Sequence, residues 1–224
     1  MAEEKKTTAA PAKAVTAVKK DDTKPGFFQR VAKWFREMRS ELKKVIWPSR
    51  KTLINNSAIS VGVCDHGRMA FGAIYNPYDS RLFHAEAGQG AYVRDTRTGR
   101  DLPIHVSARA LHDGLAGFGT SPYYREELAE PTFRAVSSLF RMTRDVRRCG
   151  SAALDLCMVA CGTLDVFIEY RLSPWDVAAG TLIVSEAGGL VTRMDGSPVT
   201  FDAPGSILAG SPLSHREVLD SGIL

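Results

Sequence analysis

The chain has 224 residues, of which 44% are hydrophobic and 24% charged, and its formal net charge is +4. This composition is ordinary for a globular protein and excludes a collagen-like or wholly disordered chain. The first residues lack the apolar core of a secretory signal peptide, and no stretch reaches the roughly 18 apolar residues that span a bilayer.

The charge is divided unevenly along the chain. Residues 1–56 contain 14 Lys or Arg against 6 Asp or Glu, a net charge of +8, whereas residues 57–224 carry −4. A basic arm on an acidic body predicts a separate partner for the arm, either anionic lipid or nucleic acid. A solvated tail without any partner is the alternative interpretation.

The basic arm divides into two parts. Residues 1–24 are rich in Lys, Ala, Thr and Asp and contain too few large apolar side chains to form a core, so we expect disorder there. Apolar residues then recur at steps of three and four, which predicts an amphipathic helix over residues 27–46 with an aromatic stripe and cationic flanks. Pro48 cannot continue this helix. The pattern fits a membrane interface and fits equally well a helix packed on a protein.

The run FREMRSELKKVIWPSR, from Phe35 to Arg50, resembles the cytosolic segment of bacterial SecE, the small subunit of the protein-export translocase. The resemblance covers residues 25–56. It implies that residues 27–50 lie against an anionic membrane surface or the translocase channel. In that family a membrane-spanning helix follows, whereas here a strand-like run follows over residues 57–63.

Residues 57–224 predict alternating strands and helices. A turn at Asp65-His66-Gly67 predicts a hairpin between the first two strands. The predicted strands cover residues 58–64, 68–76, 82–85, 90–93, 102–106, 115–119, 164–170, 190–192 and 207–209. Helices are predicted over 124–139, 151–160 and 177–187, and glycine ends the last two. Helices alternating with strands indicate a layered α/β domain.

Four cysteines, Cys64, Cys149, Cys157 and Cys161, form no CxxC pair. Cys157 and Cys161 share one face of a predicted helix. The functional interpretation of this pair is that the two thiols bind a metal ion. Because no histidine lies nearby in sequence, we expect reduced core thiols instead. Nothing in the pattern indicates an oxidising compartment.

Two predicted helix starts carry candidate chemistry. Asp176, in the run WDVAAG, is placed at a helix N-terminus, where a plain N-cap is the alternative to a functional role. Gly150 and Ser151 open another helix, whose free N–H groups can hold a phosphate or a hydroxyl. An ordinary cap is the alternative there as well.

In this order and spacing, residues 57–224 resemble the C-terminal portion of the inositol monophosphatase family. The resemblance implies an α/β sandwich, often dimeric, that uses Mg²⁺ to hydrolyse phosphate esters of inositol or sugars. The Asp of the family's Trp-Asp-x-Ala-Ala-Gly motif ligates the catalytic Mg²⁺ and falls on Asp176. The substrate segment falls on Gly150, Ser151 and Ala152, and the acceptor of the substrate hydroxyl falls on Glu169. For Glu169, an exposed carboxylate at a strand end is the alternative.

The family takes most of its metal ligands from an upstream Glu and an Asp-Pro-x-Asp-Gly-Thr loop, and this chain contains no such loop. We therefore expect a fold that is incomplete on its N-terminal side, with an exposed apolar surface and impaired or absent hydrolase activity. Two other interpretations stay open. One is a SecE-like translocase subunit, peripheral at the cytoplasmic membrane face, and the other is a chimera without an evolved function. We expect a cytoplasmic protein that binds no nucleic acid.

Overall fold

The structure is a computed structural model, and it describes residues 58–224. The tail predicted at 1–24, the amphipathic helix predicted at 27–46 and the SecE-like segment lie outside the described residues. The described part of the chain contains ten strands in two five-stranded sheets, together with four α-helices. The layered α/β class predicted from the sequence is confirmed.

The first sheet is an antiparallel meander in which consecutive strands are neighbours. It consists of β1 (Ile59–Asp65), β2 (Arg68–Asn76), β3 (Arg81–Glu86), β4 (Ala91–Asp95) and β5 (Arg100–Pro103). One face meets the core, so buried Phe83 and Ala85 alternate with more exposed neighbours along β3. The predicted turn between β1 and β2 is present. His66 and Gly67 have φ angles of 48° and 77°, as a tight two-residue hairpin turn of type I′ requires.

The second sheet mixes parallel and antiparallel pairs. Its strands are β6 (Leu115–Phe118), β7 (Asp145–Arg147), β8 (Val166–Leu172), β9 (Leu190–Thr192) and β10 (Gly205–Gly210), in the spatial order β7-β6-β8-β10-β9. β7, β6 and β8 are parallel, whereas β10 runs antiparallel to both of its neighbours. The carboxyl ends of three strands therefore meet at one edge of this sheet.

Four helices complete the layers: α1 (Arg125–Met142), α2 (Ala152–Ala160), α3 (Pro174–Glu186) and α4 (Pro212–Ser221). Apolar side chains of α2 and α3 share one core with Ile74 of the first sheet and Phe167 of the second, so these helices lie between the sheets. α1 and α4 cover the other face of the second sheet, around Leu139, Val166 and Val218. The layers thus run sheet, helices, sheet, helices.

Close contact between α3 and the first sheet depends on a glycine. A β-carbon at Gly72 would lie 2.8 Å from the carbonyl oxygen of Ala179, so any side chain there would push the helix away. The residue types of β2 and α3 therefore set the depth at which α3 packs. This depth also places the N-terminus of α3 beside the ends of the parallel strands.

The outward face of the first sheet is apolar near β1. Ile59, Val61 and Val63 alternate along β1 and are 39%, 53% and 49% exposed, and Phe71 opposite Val63 is 37% exposed. Nothing within residues 58–224 covers these side chains. The exposed apolar surface expected from the sequence is therefore present in the described part of the chain.

Candidate active site

A cavity of about 700 Å³ opens at the edge where the three parallel strands end. The segment after β6, from Gly119 to Ser121, and Arg148, which follows β7, line it together with the N-termini of α2 and α3. Crevices at the carboxyl ends of parallel strands are frequent ligand sites in α/β proteins. All five site residues predicted from the sequence line this cavity: Gly150, Ser151, Ala152, Glu169 and Asp176.

Glu169 is buried, with only 7% of its surface exposed, so the interpretation as an exposed strand-end carboxylate is wrong. Its Oε1 accepts hydrogen bonds from the N–H of Ser121 at 2.9 Å and from the Ser121 hydroxyl at 3.2 Å. Burial raises the pKa of the Glu169 carboxyl, the Ser121 hydrogen bonds lower it, and the nearby charge of Asp176 raises it again. The described residues offer no hydrogen-bond partner to Oε2, which leaves this oxygen available to a ligand.

The start of α2 forms the second wall. Ser151 is the N-cap, and its carbonyl accepts the Asp155 N–H at 2.9 Å, but its hydroxyl makes no capping hydrogen bond. The ordinary-cap interpretation is therefore correct for the backbone of Ser151 and not for its side chain. Gly150 has a φ of 89°, a left-handed conformation that favours glycine. The helix start thus presents a hydroxyl, together with the partial positive charge of unpaired N–H groups, where an anion can bind.

Asp176 is the third residue of α3 and not its N-cap, so the plain-cap interpretation is wrong about the position, although the carboxylate does accept a backbone N–H as that interpretation expected. Ser173 is the N-cap, and its N–H donates to Asp176 Oδ2 at 2.9 Å, as in a capping box. The carboxylate is half-buried and lines the cavity. One oxygen of Asp176 therefore stabilises the helix start, while Oδ1 has no partner among residues 58–224.

Asp155 is a cavity residue that sequence reasoning missed. It lies in the first turn of α2, is 1% exposed, and its Oδ1 is buried without a hydrogen-bond partner in the described part of the chain. Burial raises the pKa of Asp155 to about 6; the Cys149 thiol and Arg148 lower it, and the charge of Glu169 raises it. A single acid within the apolar run AALDLCMVA was the signal that could have identified it.

The mouth of the cavity carries cationic and aromatic side chains. Arg148 donates weakly to the Thr120 hydroxyl, with its Nη2 at 3.3 Å, and the Arg171 guanidinium stacks over the Tyr124 ring at 4.3 Å. Trp175, also in the lining, is 75% exposed. The cavity therefore has the guanidinium groups of Arg148 and Arg171 at its exposed mouth and the buried carboxyl groups of Asp155 and Glu169 deeper.

The predicted magnesium site can be compared with the side chains that surround it. Mg²⁺ requires near-octahedral oxygen ligands, and a pair of catalytic ions needs more than the one or two carboxylates that commonly hold a single Mg²⁺. Within residues 58–224, no three His, Cys, Asp or Glu side chains lie close enough to hold a metal ion. Asp176 and Glu169 also each have one oxygen engaged by a serine. The described residues by themselves do not fit a magnesium centre.

A model of the Inositol monophosphatase family matches residues 51–222, a range that includes every residue lining the cavity. The chain belongs to the inositol monophosphatase family. The resemblance found in the WDVAAG run and the Gly-Ser-Ala segment is confirmed at the level of the family. Members of the inositol monophosphatase family are generally Mg²⁺-dependent.

Alignments with two relatives show what share of an inositol monophosphatase sequence this chain matches. It is 33% identical to the inositol-1-monophosphatase of Bacillus subtilis (strain 168) over 165 residues, which cover 74% of this chain and 60% of the relative. It is 40% identical to the Nus factor SuhB of Escherichia coli (strain K12) over 166 residues, covering 72% and 58%. The chain thus spans about three fifths of the length of the curated relatives it matches.

Solved structures of the inositol monophosphatase family agree with the fold. The inositol monophosphatase of Anabaena (Nostoc) sp. PCC 7120 superposes with a TM-score of 0.66 at 38% identity, over 73% of this chain and 62% of the other. SaIMPase-II with bound inositol monophosphate superposes with a TM-score of 0.64 at 29% identity, over 74% and 62%. The two sheets and the helices between them are therefore those of this family.

A second family model, for SecE/Sec61-gamma subunits of the protein translocation complex, matches residues 32–64. This match supports the resemblance of the basic segment and extends it into β1, as far as residue 64. The larger part of the matched range precedes the described residues. Within residues 58–224, no helix combines the length and apolar character needed to cross a bilayer.

Proposed function

We propose that residues 58–224 bind small phosphorylated polyols or sugars, and that hydrolysis of these esters by this chain is strongly impaired. One observation supports the binding above all others. The Gly150–Ala152 helix start, buried Glu169 and Asp176, which lie far apart in sequence, surround a single cavity of about 700 Å³. The cavity is large enough for a small sugar phosphate and has an anion-binding helix start on one wall.

Different side chains of the cavity are suited to the phosphate and to the alcohol part of such a ligand. The N–H groups at the start of α2, the Ser151 hydroxyl and Arg148 provide donors for a phosphate group. Glu169 Oε2, an acceptor without a partner among residues 58–224, is suited to a hydroxyl of the alcohol part. SaIMPase-II has been solved with inositol monophosphate and with 2′AMP, which supports ligands that combine a phosphate with hydroxyl groups.

The proposal that hydrolysis is impaired rests on the small number of carboxylates available to ligate metal ions. Metal ions in such phosphatases activate water and stabilise the leaving oxygen. The resemblance assigns the family's ligand position to Asp176, yet the acids of residues 58–224 do not form a group that can hold a metal ion. The printed sequence also contains no Asp-Pro-x-Asp-Gly-Thr loop. We therefore propose that this chain releases phosphate slowly or not at all.

Calorimetry and a phosphate-release assay on the full chain test the two parts of the proposal separately. We expect inositol 1-phosphate to bind, Glu169→Gln to weaken binding about tenfold, and the exposed control Glu130→Gln to bind like the wild type. Absence of binding by the wild type would contradict the binding proposal. Robust Mg²⁺-dependent phosphate release would contradict only the impairment.

The SecE match favours a second candidate function. We propose that residues 27–50 bring the chain to an anionic membrane surface, where basic residues of an amphipathic segment bind lipid headgroups. Vesicles containing one third phosphatidylglycerol should retain the full chain in a flotation assay. Lys43→Glu combined with Lys44→Glu should reduce that retention, and 0.5 M salt should reduce it as well. Equal retention on neutral vesicles would contradict this function.

Failure of both ligand binding and vesicle binding would favour the interpretation as a chimera without an evolved function.

A homodimer, implied by the family, is a further proposal. Size-exclusion chromatography with light scattering would give the mass of the assembly, and a monomer mass at all concentrations would exclude it.

A further inference from the structure

Asp155 stands apart from the other buried acids of the described chain. Asp165 is fully buried and is paired with Arg109 and with the Leu115 N–H, and Glu169 is paired with Ser121. Asp155 is 1% exposed, yet no residue among 58–224 hydrogen-bonds its Oδ1. A buried polar atom without a partner is unfavourable, so its retention requires an explanation outside the described protein groups.

The position of Asp155 indicates what that explanation is. Three buried side-chain atoms in the described residues lack partners, those of Thr132, Asp155 and Ser214. Of these, Asp155 alone is an acid and alone lines the cavity. It lies one turn after Ser151, whose hydroxyl also makes no capping hydrogen bond. Asp155, whose carboxyl has the Cys149 thiol as its other hydrogen-bond partner, and the Ser151 hydroxyl thus border the same space from one helix turn.

We propose that Asp155 contacts the bound ligand and hydrogen-bonds a hydroxyl of its alcohol part, so that it sets a preference for polyhydroxylated phosphate esters over simple alkyl phosphates. This inference rests on the ester binding proposed above. The terminal torsion of an aspartate is broad and two-fold, so rotation about it brings either carboxyl oxygen to the cavity side.

A hydroxyl is the ligand group that matches Asp155 best. It donates to an ionised carboxylate and accepts from a protonated carboxylic acid, and with a pKa of about 6 both forms of Asp155 occur near neutral pH. A phosphate oxygen would be repelled by the ionised form, and the helix start at Ser151 already offers it donors. Asp155 and Glu169 would then hold separate hydroxyls of one ligand.

Calorimetry with two ligands tests this assignment in the full chain. Inositol 1-phosphate carries several hydroxyls, and methyl phosphate carries none. We expect Asp155→Leu to weaken inositol 1-phosphate binding at least tenfold and methyl phosphate binding less than twofold. Asp155→Asn, whose amide still donates and accepts, should keep inositol 1-phosphate within threefold. The exposed control Asp113→Asn should match the wild type with both ligands.

Thermal denaturation confirms that each variant is folded, and we expect both Asp155 variants to be at least as stable as the wild type. Unchanged binding of both ligands by Asp155→Leu would overturn the inference and leave ester binding intact. An equal loss for both ligands would also overturn it, because Asp155 would then act only by positioning α2. Absence of binding by the wild type would remove ester binding and this inference together.

Discussion

The carboxylate of Glu169 occupies the space that a side chain at Gly119 would need. A β-carbon built on Gly119 overlaps Oε2 and Cδ of Glu169. The N–H of Gly119 also donates to the Ile168 carbonyl at 2.9 Å, so the backbone at the end of β6 cannot easily retreat. The burial of Glu169 beside the cavity therefore depends on the absence of a side chain at position 119.

Gly119→Ala should lower stability by about 1–3 kcal/mol, as overpacking of a buried site usually does. It should also displace Glu169 from Ser121 and weaken ligand binding. Urea unfolding measures the change in free energy. In a Glu169→Ala background the same substitution should cost much less, because the overlapping carboxylate is gone. Additive effects of the two substitutions would contradict this relationship.

Asp155 should make stability fall as pH rises. Burial raises its folded-state pKa to about 6, above the value of an unfolded aspartate, so its favourable contribution is present at low pH and is lost between about pH 4 and 6. Asp155→Asn should therefore match the wild type near pH 4 and exceed it above pH 6, by roughly 1–3 kcal/mol. Urea unfolding from pH 4 to 8 measures this difference.

Asp195 offers a control of opposite sign. The Ser197 hydroxyl and N–H hold the pKa of Asp195 below its usual value, so any contribution it makes is present at neutral pH and lost on acidification. A stability difference for Asp155→Asn that did not change with pH would show that the pKa of the Asp155 carboxyl is the same in the folded and unfolded states.

Glu186 should secure the turn between β3 and β4. Its two oxygens accept the N–H groups of Gly88 at 2.8 Å and Gly90 at 2.9 Å, which joins the end of α3 to the first sheet. Glu186→Ala should lower stability by about 1–3 kcal/mol, because two N–H groups lose their acceptor. Hydrogen exchange at both glycine amides should accelerate. Glu130→Ala, which breaks an exposed pair with Arg134, should change stability by less than about 0.5 kcal/mol.

Arg109 should be the main stabilising partner of buried Asp165. Its Nε and Nη2 each lie 3.1 Å from an oxygen of the fully buried carboxylate. Arg109→Met should lower stability by about 3 kcal/mol, the low end for a broken buried pair, because Arg109 is 47% exposed and water can enter. Adding Asp165→Asn should recover part of this loss. Equal stability of Arg109→Met and the wild type in urea unfolding would contradict the pairing.

Much of the fold could be predicted from local patterns. The tight turn at His66-Gly67 and the glycines that end α2 and α3 mark element boundaries through backbone conformation, which depends on few neighbours. β7 was missed because three residues with two charges carry no periodic signal. α4 was missed because only Ser214, His215 and Val218 are buried on a polar helix that begins at a proline.

The candidate site was predicted from motifs, and the environment of each residue was not. All five predicted positions line the cavity. Four of them lie within the Gly-Ser-Ala and WDVAAG runs, and Glu169 was placed by its distance of seven residues from Asp176. The burial of Glu169 depends on Gly119, fifty residues away in sequence, and a contact between such distant residues cannot be predicted from a local sequence pattern. The absence of a partner for Asp155 Oδ1 among residues 58–224 is likewise a property of the packed structure. Cys157 is buried and Cys161 half-buried, and both are free thiols, as the sequence predicted for this pair.

The edge position of β1 has a consequence for how the protein behaves in solution. Within residues 58–224, β1 pairs only with β2, and no described residue pairs with the backbone on its other side, a geometry that favours addition of a strand from a second molecule. Its sequence, ISVGVCD, has no proline or lysine to oppose such addition. At high expression levels the chain should accumulate in inclusion bodies, and Val61→Lys should shift it toward the clarified lysate.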